Sequence, residues 1–195
     1  MANELYLTDV IDPRLAVHAA QPCTSAPATA ILQIHMQGKP VRESYSEYSE
    51  LALPNDANSL GNLLGGKVMH LVDLAAAMAA MRHSRQIVVT ASVDHMTFLH
   101  PVKMGQWVRL HSAVNRVFRT SMEVGVRVMV EDLIAGEIRH TSSAYLTFVA
   151  IDRDGNRVPV APVIPETETE QRRYQEAGTR REYRLALKEK VLHLP

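Results

Sequence analysis

Cysteine is nearly absent from this sequence, which has Cys23 as its single cysteine among 195 residues. One thiol cannot form an internal disulfide, so the chain does not belong with the disulfide-stabilised secreted domains. Its first residues, MANELYLTDVIDPR, also lack the basic start and the apolar run of a secretory signal. We therefore expect a reducing, cytoplasmic location.

An excess of charge of either sign is also missing. Lys and Arg together number 21, as do Asp and Glu, so the formal net charge is zero. Such a chain has no long-range field to gather nucleic acid or acidic membranes, and we expect neither partner. The apolar segment at residues 68–81 is interrupted by His70 and Asp73 and is too short to cross a bilayer. An apolar content of 46% is enough for a conventional core, so we expect a soluble protein with one main domain.

Several sequence signatures of catalysis are absent as well. The chain contains no G-x-S-x-G nucleophile elbow, no G-x-x-x-x-G-K-[ST] phosphate loop and no G-x-G-x-x-G dinucleotide motif. Its nine histidines form neither an H-E-x-x-H motif nor a Cys/His cluster, so we expect no metal site. Nucleotide hydrolysis and Rossmann-type chemistry therefore lose support.

Composition divides the chain into three parts. Residues 1–43 are predicted to be an irregular N-terminal arm, in which residues 30–36 are consistent with either a short strand or a helix. Residues 44–162 contain the periodic segments and are predicted to form the main domain. Residues 163–195 follow a proline-rich stretch and are predicted to be a charged, helical C-terminal tail.

The periodic segments predict one long helix and five strands. A strand is expected at residues 44–53, a loop after Pro54, and a helix from Gly65 or Gly66 to about Arg82. β-branched and alternating apolar residues predict four further strands, at residues 87–94, 107–115, 122–130 and 137–151. In the strand at 122–130 apolar residues alternate with others such as Glu123, so we expect one buried face, with Glu123 on the other. Their short connections imply an antiparallel sheet with a single helix against it, which is an α+β fold and not a doubly wound one.

Asp73 is the most informative residue of the predicted helix. It is a lone carboxylate among the almost entirely apolar residues 69–81. A helix that is apolar on every face is usually buried, and an unpaired buried carboxylate is costly. Proteins keep such a group where it is paired, hydrogen-bonded or used in chemistry. The plainer interpretation, an Asp that reaches solvent or a partner interface, stays open.

Asn62 and the pair Gly65 and Gly66 precede Asp73 and complete a candidate site. Glycines at a helix start let a substrate approach backbone N–H groups, which polarise a carbonyl at the positive end of the helix dipole. The Asn62 amide could add a donor or position a water, and Asp73 could act as base or nucleophile. These groups suit attack on an acyl carbon. In a purely structural interpretation, the glycines only permit a tight entry into the helix and Asn62 satisfies the turn.

The spacing of these residues points to more than one chain. Asn62 and Asp73 are eleven residues apart in the sequence, and a rise of about 1.5 Å per residue carries Asp73 about two turns beyond the glycines. A single chain need not bring both groups together. Two chains that meet at their sheet edges, each supplying one residue, would do so.

Four stretches of the chain resemble a known family. PNDANSLGNLLGGKVMHLVDLAAAMAA is similar to the loop and central helix of the hot-dog-fold acyl-CoA thioesterases, in particular the single-domain acyl-CoA hydrolases related to the brain-type cytosolic enzyme. VVTASVDHMTFLHPVKMGQWVRL resembles the second and third strands of that family, and FRTSMEVGVRV and YLTFVAIDRDGN resemble the remaining ones. The resemblance covers residues 51 to about 162 and implies a hot-dog fold, an antiparallel sheet wrapped around one long central helix.

The resemblance also implies a reaction and an assembly. The chain is expected to hydrolyse acyl-CoA to a free acid and CoA, with no separate cofactor because CoA is part of the substrate. Dimers that assemble further into hexamers are expected, with the site between subunits. Asp73 would be the nucleophile or general base, Asn62 of the opposite subunit would orient the water or the thioester carbonyl, and the amide of Gly66, with Gly65, would form the electrophilic pocket.

Ligands for the CoA part are less clear in the sequence. Arg116, Arg119 and Lys103 lie near predicted strand ends, where they could reach its phosphates, although basic residues at such places are ordinarily solvated. Thr120 and Ser121 resemble a Thr-Ser pair of the family and could contact the pantetheine or the nucleotide.

Two other functions are compatible with the same fold. A non-catalytic acyl-CoA-binding or sensing module would use the same groove, but it gains nothing from a carboxylate buried beside an acyl chain. A hydratase or dehydratase would need a His and carboxylate pair near the helix start, and His70 does not match that pattern. Asp73 therefore favours the hydrolase.

Overall fold

A five-stranded antiparallel sheet and one long helix form the main body of the structure, a computed structural model that describes residues 36–94 and 96–192. Most of the predicted arm, with residues 30–35, lies outside this part. In chain order the elements are β1 (Lys39–Pro40), β2 (Ser46–Leu51), α1 (Gly65–Ser84), β3 (Ile87–Val93), β4 (Trp107–Val117), β5 (Ser121–Asp132), β6 (Glu137–Ile151), β7 (Val163–Ile164) and α2 (Glu168–Leu192).

The order of strands in the sheet is β2-β4-β5-β6-β3, with every pair antiparallel. This confirms the α+β architecture and the four strands predicted after the helix. The sequence pattern did not predict β1 and β7, which form a separate parallel pair. β1 lies in the predicted arm, before residue 44, and β7 lies in the predicted tail, after residue 162, so the pair joins these two parts. The three-part division of the chain stays a prediction.

Small side chains bring α1 close to the sheet. Ala75, Ala76, Ala79 and Ala80 are fully buried and pack with alternate residues of the central strands, such as Met122 and Val124 of β5. Ser112 on β4 donates a hydrogen bond of 2.7 Å to the carbonyl oxygen of Ala75, a contact that needs this short separation. The helix axis is therefore held firmly over the middle of the sheet.

The second face of the sheet is covered by α2. The alternation in β5 predicted a single buried face, with Glu123 on the open side, and this is wrong at Glu123, whose side chain is 0% exposed. Arg180 and Arg184 of α2 contact its carboxylate, and Ala177 of α2 is also fully buried. Neither α1, α2 nor any other helix within the described ranges is long and apolar enough to cross a membrane.

One side of α1 and one edge of the sheet are left open in the single chain. The expectation that α1 is buried on every face does not hold here, since an apolar stripe with exposed fractions of 37–50% runs along it: Leu74, Met78 and Met81. Beside the stripe, β3 pairs only with β6 among the strands of residues 36–94 and 96–192, so its other edge is free in this part of the chain, and Ile87, Val89 and Val93 are exposed. Free edges and apolar patches of this kind are typical of protein interfaces.

The close packing of α1 predicts a large effect of added volume at Ala76. Replacing Ala76 with Leu should lower the free energy of unfolding by about 1–3 kcal/mol, because the site has no room for the longer side chain. Ala186→Leu, at an exposed position of α2, is the matched control and should change stability little. Urea denaturation at one fixed protein concentration measures both, and equal stability of the two variants would contradict the close contact.

Candidate active site

Asp73 is held by a hydroxyl group from the edge strand. Thr90 Oγ1 on β3 donates a hydrogen bond of 2.8 Å to Asp73 Oδ1. Thr90 stands opposite Phe148 of β6, whose side chain is in the core, so the Thr90 hydroxyl lies on the α1 side of the sheet. Asp73 is half-buried, and among the described residues its Oδ2 has no hydrogen-bond partner. The carboxylate is thus oriented by one oxygen while the other stays available.

The first turn of α1 leaves backbone donors free. Leu64 is the residue before the helix, and no side chain caps it. The first amides of a helix have no acceptor within it, so those of Gly65 and Gly66 can bind an external oxygen. Space is open where a Cβ of Gly66 would lie, while one at Gly65 would meet the ring of Phe98 at 3.7 Å. A carbonyl can therefore approach Gly66 closely.

Asn58 organises the loop before α1. Its Oδ1 accepts hydrogen bonds from the amides of Leu60, at 2.9 Å, and Asn62, at 3.1 Å. With Oδ1 committed to the turn, the Nδ2 group of Asn58 is the part that remains to donate outward. Asn62 forms an isolated bridge with Lys103 through its backbone, and its half-buried side chain makes no hydrogen bond within the described part of the chain.

These groups do not converge within one chain. Asp73 is seven residues beyond Gly66, a rise of about 10 Å along the helix. The structure shows no contact from Asp73 to Asn58, to Asn62 or to the glycine amides among its described residues. Asp73 instead borders the apolar stripe of α1 and the free edge of β3.

A group of polar side chains joins the first turn of α1 to β2 and to the loop. Lys67 Nζ lies 2.8 Å from Glu50 Oε1 and 3.4 Å from Asp56 Oδ2. Tyr48 donates a hydrogen bond of 2.6 Å to Glu50 Oε2. We call these four residues the Lys67 cluster. Hydrogen bonds from Lys67 and Tyr48 hold the pKa of Glu50 below its ordinary value, and the bond to Glu50 raises the pKa of Lys67. Glu50 and Lys67 are therefore both charged at neutral pH.

Some of the residues predicted to bind CoA are in contact with α2, and others are exposed. Arg116 donates to the Tyr174 carbonyl oxygen at 3.3 Å and stacks 4.4 Å from the Tyr174 ring centroid, and Arg181 lies 3.4 Å from Ser121 Oγ. Both contacts are with α2, on the side of the sheet opposite α1. Thr120 is half-buried in the β4–β5 turn, whereas the side chains of Arg119 and Lys103 are exposed. Arg119 and Lys103 therefore remain available for a ligand phosphate.

An ionic cluster anchors α2 to the sheet. Glu123 accepts hydrogen bonds from Arg180 at 2.7 Å, from Arg184 at 3.3 Å and from Asn115 at 3.2 Å. Arg184 also contacts Asp94, directly after β3, at 2.5 Å, and burial raises the pKa of Asp94. Across residues 36–94 and 96–192, no three His, Cys, Asp or Glu side chains are grouped as a metal site needs.

Comparison with known proteins gives consistent matches. The model of the thioesterase superfamily matches residues 60–136. An uncharacterized acyl-CoA thioester hydrolase of Bacillus subtilis is 43% identical over 129 residues, which cover 66% of this chain and 75% of that protein. The crystal structure of an apo-hexameric acyl-CoA thioesterase superposes with a TM-score of 0.76 and 41% identity over 82% of this chain and 100% of the other.

Structures of one enzyme from Staphylococcus aureus are also similar. Its acyl-CoA hydrolase, in complex with butyryl coenzyme A, coenzyme A and coenzyme A disulfide, superposes with a TM-score of 0.74 and 34% identity, covering 78% of this chain and 93% of that one. Three variants of the same enzyme have Ala in place of an asparagine, an aspartate and a threonine. In that enzyme the aspartate follows the asparagine by 15 residues, and the threonine follows the aspartate by 17.

The ionic cluster under α2 predicts that the loss of Arg180 strongly lowers the stability of the protein. Replacing Arg180 with Met leaves the buried Glu123 carboxylate with fewer donors and should lower the free energy of unfolding by about 2–4 kcal/mol. Arg172→Met removes an exposed pair with Glu176 and should cost less than about 1 kcal/mol. Chemical denaturation of both variants provides the comparison. If Arg180→Met were as stable as Arg172→Met, the cluster would not anchor the helix.

Proposed function

This chain belongs to the acyl-CoA thioester hydrolases of the thioesterase superfamily, and on that premise we propose that Asp73 of one subunit acts on a thioester held by the α1 start of another. The protein is an acyl-CoA hydrolase with a hot-dog fold, which converts acyl-CoA and water to a carboxylic acid and CoA. The hydrogen bond between Asp73 and Thr90 carries this proposal, because it orients a carboxylate at the open edge of the sheet.

Asn58 takes the role that the sequence analysis gave to Asn62. Asn58, Asp73 and Thr90 are separated by 15 and 17 residues, the same intervals as the three residues replaced in the Staphylococcus aureus hydrolase. The loop supports the same choice, since it fixes Asn58 Oδ1 and leaves Nδ2 to donate. We propose that Asn58 and the Gly66 amide polarise the thioester carbonyl.

Self-association completes the site in this proposal. The free edge of β3 and the apolar stripe of α1 lie on either side of Asp73, so a second copy that covered them would also exclude water from the carboxylate. We propose a dimer that pairs through β3, and a trimer of such dimers like the apo-hexameric thioesterase. Each dimer would hold two sites, each with Asp73 from one subunit and the Asn58 loop from the other.

The chemistry needs a base or nucleophile, a polarised carbonyl and a leaving thiolate. With Asp73 as general base, a water oxygen attacks the acyl carbon while Asp73 accepts its proton, and the negative charge that develops on the carbonyl oxygen is stabilised by Asn58 Nδ2 and the Gly66 N–H. The C–S bond then breaks, and CoA leaves as the thiolate, which takes the proton that Asp73 had accepted. With Asp73 as nucleophile, its attack on the acyl carbon breaks the C–S bond, expels the CoA thiolate and forms an acyl-enzyme anhydride, which water then cleaves to the free acid and Asp73. No separate cofactor is proposed, because these groups suffice.

Binding of the CoA part is proposed at the exposed basic residues. Arg119 and Lys103 can pair with its phosphates, and Thr120 and Gly65 are further candidate contacts. Arg116 and Ser121 stay candidates, although both are already in contact with α2. A cytoplasmic location is proposed as well and is supported by the single cysteine.

A site shared between subunits predicts complementation. Asp73→Ala and Asn58→Ala should each abolish most hydrolysis, yet a dimer with one subunit of each kind keeps one intact site and should regain up to about half of the wild-type rate. The two variants are co-expressed with different affinity tags, purified through both, and assayed by release of the CoA thiol. Asn62→Ala is the matched control and should retain most activity, because its side chain makes no hydrogen bond in the described structure.

Two results would contradict this arrangement. Mixed dimers no more active than the separate variants would mean that one chain supplies the whole site. Loss of activity in Asn62→Ala but not in Asn58→Ala would return the role to Asn62. Thermal melts and gel filtration of each variant establish that folding and assembly are unchanged.

The contact from Thr90 predicts a separate kinetic effect. Thr90→Val keeps the shape of the side chain but removes the donor to Asp73, and a hydrogen bond to a charged group contributes about 1.5–3 kcal/mol, so kcat should fall about 10- to 100-fold. Thr147→Val on β6 is the control, because the Thr147 hydroxyl is buried without a partner in the described residues. Unchanged kcat in Thr90→Val, measured by steady-state kinetics, would show that Asp73 needs no such support.

A further inference from the structure

We propose that Lys67 is a positioning residue for this reaction, which ties the Asn58 loop to the first turn of α1 so that Asn58 and the Gly66 amide meet one carbonyl oxygen. This inference rests on the proposed function. It assigns Lys67 to one half of the site, the half formed by the Asn58 loop and the helix start.

The contacts of Lys67 reach both parts that must be aligned. Lys67 follows Gly66 directly in the first turn of α1, and Asp56 precedes Asn58 by two residues. The 3.4 Å contact between Lys67 Nζ and Asp56 Oδ2 therefore joins the two segments that carry the proposed donors to the carbonyl, the Gly66 amide and Asn58. A second contact, from Lys67 Nζ to Glu50 Oε1 at 2.8 Å, fixes both segments to the sheet through β2.

Other contacts hold the loop on its remaining sides. The amide of Leu64 donates to the Asp56 carbonyl oxygen at 2.9 Å, and the amide of Leu63 donates to the Val102 carbonyl oxygen at 2.8 Å. These bonds fix the two ends of the loop main chain near α1 and the segment before β4. The Asp56 side chain is held to α1 by Lys67 alone among the described residues. Loss of Lys67 should therefore shift the turn around Asn58 without unfolding the loop.

The charges around Lys67 argue against a direct contact with CoA phosphates. Two carboxylates lie against its ammonium group, and Tyr48 donates to one of them, so the surroundings of Lys67 carry more negative than positive charge. Its side chain is 25% exposed, and those of Glu50 and Asp56 are 26% and 30% exposed. A phosphate at this position would be repelled, and the cation is already committed to holding protein groups.

Steady-state kinetics should show the signature of misplaced donors. Lys67→Met should lower kcat about 10- to 100-fold, since a shift of about 1 Å in a reacting geometry has effects of this size, while KM stays within about twofold. Lys67→Arg keeps the cation and should recover most of kcat. Lys188→Met, at an exposed position of α2, is the matched control and should leave both constants unchanged. A rise in KM with kcat intact would overturn the inference and indicate substrate binding by Lys67.

Mixed dimers test which half of the site Lys67 serves. In a dimer of Lys67→Met with Asp73→Ala, one site carries both defects and the other is wild type, so activity should recover to about half of the wild-type rate. In a dimer of Lys67→Met with Asn58→Ala, each site contains one defective donor half, so no recovery is expected. Recovery with both partners, or with neither, would overturn the assignment, as would recovery with Asn58→Ala alone.

This design separates the inference from the proposed function. If Asp73→Ala and Asn58→Ala do not complement one another, the shared site fails, while the kcat and KM values of Lys67→Met and the rescue by Lys67→Arg still decide whether Lys67 positions the donors. Asp56→Asn provides a second test, because its effect on kcat should not add to that of Lys67→Met if both act through one contact. Additive effects would contradict the link.

Discussion

The close contact between α1 and the sheet is the constraint on which the site depends. Buried alanines allow the helix to lie against the sheet, and this distance lets Thr90 on β3 reach Asp73. Larger side chains on that face would lift the helix and separate the hydroxyl from the carboxylate. The packing of the core therefore also decides how the proposed reactive groups are oriented.

In the single chain the proposed reactive groups lie at an exposed surface. Asp73, in the middle of α1, lies between the apolar stripe of that helix and the free edge of β3, while Asn58 and the glycine amides are at the start of the helix. A water-filled site would weaken every electrostatic contact with the thioester. The proposed pairing of two chains would both exclude water and bring the two sets of groups together, and it would account for a lone carboxylate in so apolar a helix.

Local sequence patterns predicted the helix α1 and the strands of the sheet, whereas the candidate site depends on contacts between residues that are far apart in the sequence. Alternation in β5 and the apolar segment of α1 were enough to predict an antiparallel sheet with one helix. Such patterns depend only on which residues within a segment face the core. Thr90, which holds Asp73, was not among the predicted site residues, since no local pattern shows which helix residue it faces. Asn58 lies in the loop predicted after Pro54, but a sequence pattern does not show that its side chain organises that loop. Glu123 was predicted to be open because α2, which covers it, lies more than 40 residues further along the chain.

A crystal structure of the oligomer with a non-hydrolysable acyl-CoA thioether would test the shared site most directly. The account predicts that Asp73 of one subunit and the partner subunit's Asn58 lie on either side of the acyl group, each within about 3 Å of the position of its reacting atoms, with the Gly66 amide on the carbonyl oxygen. A ligand whose acyl group contacts residues of one subunit only, with Asp73 open to bulk solvent, would contradict it.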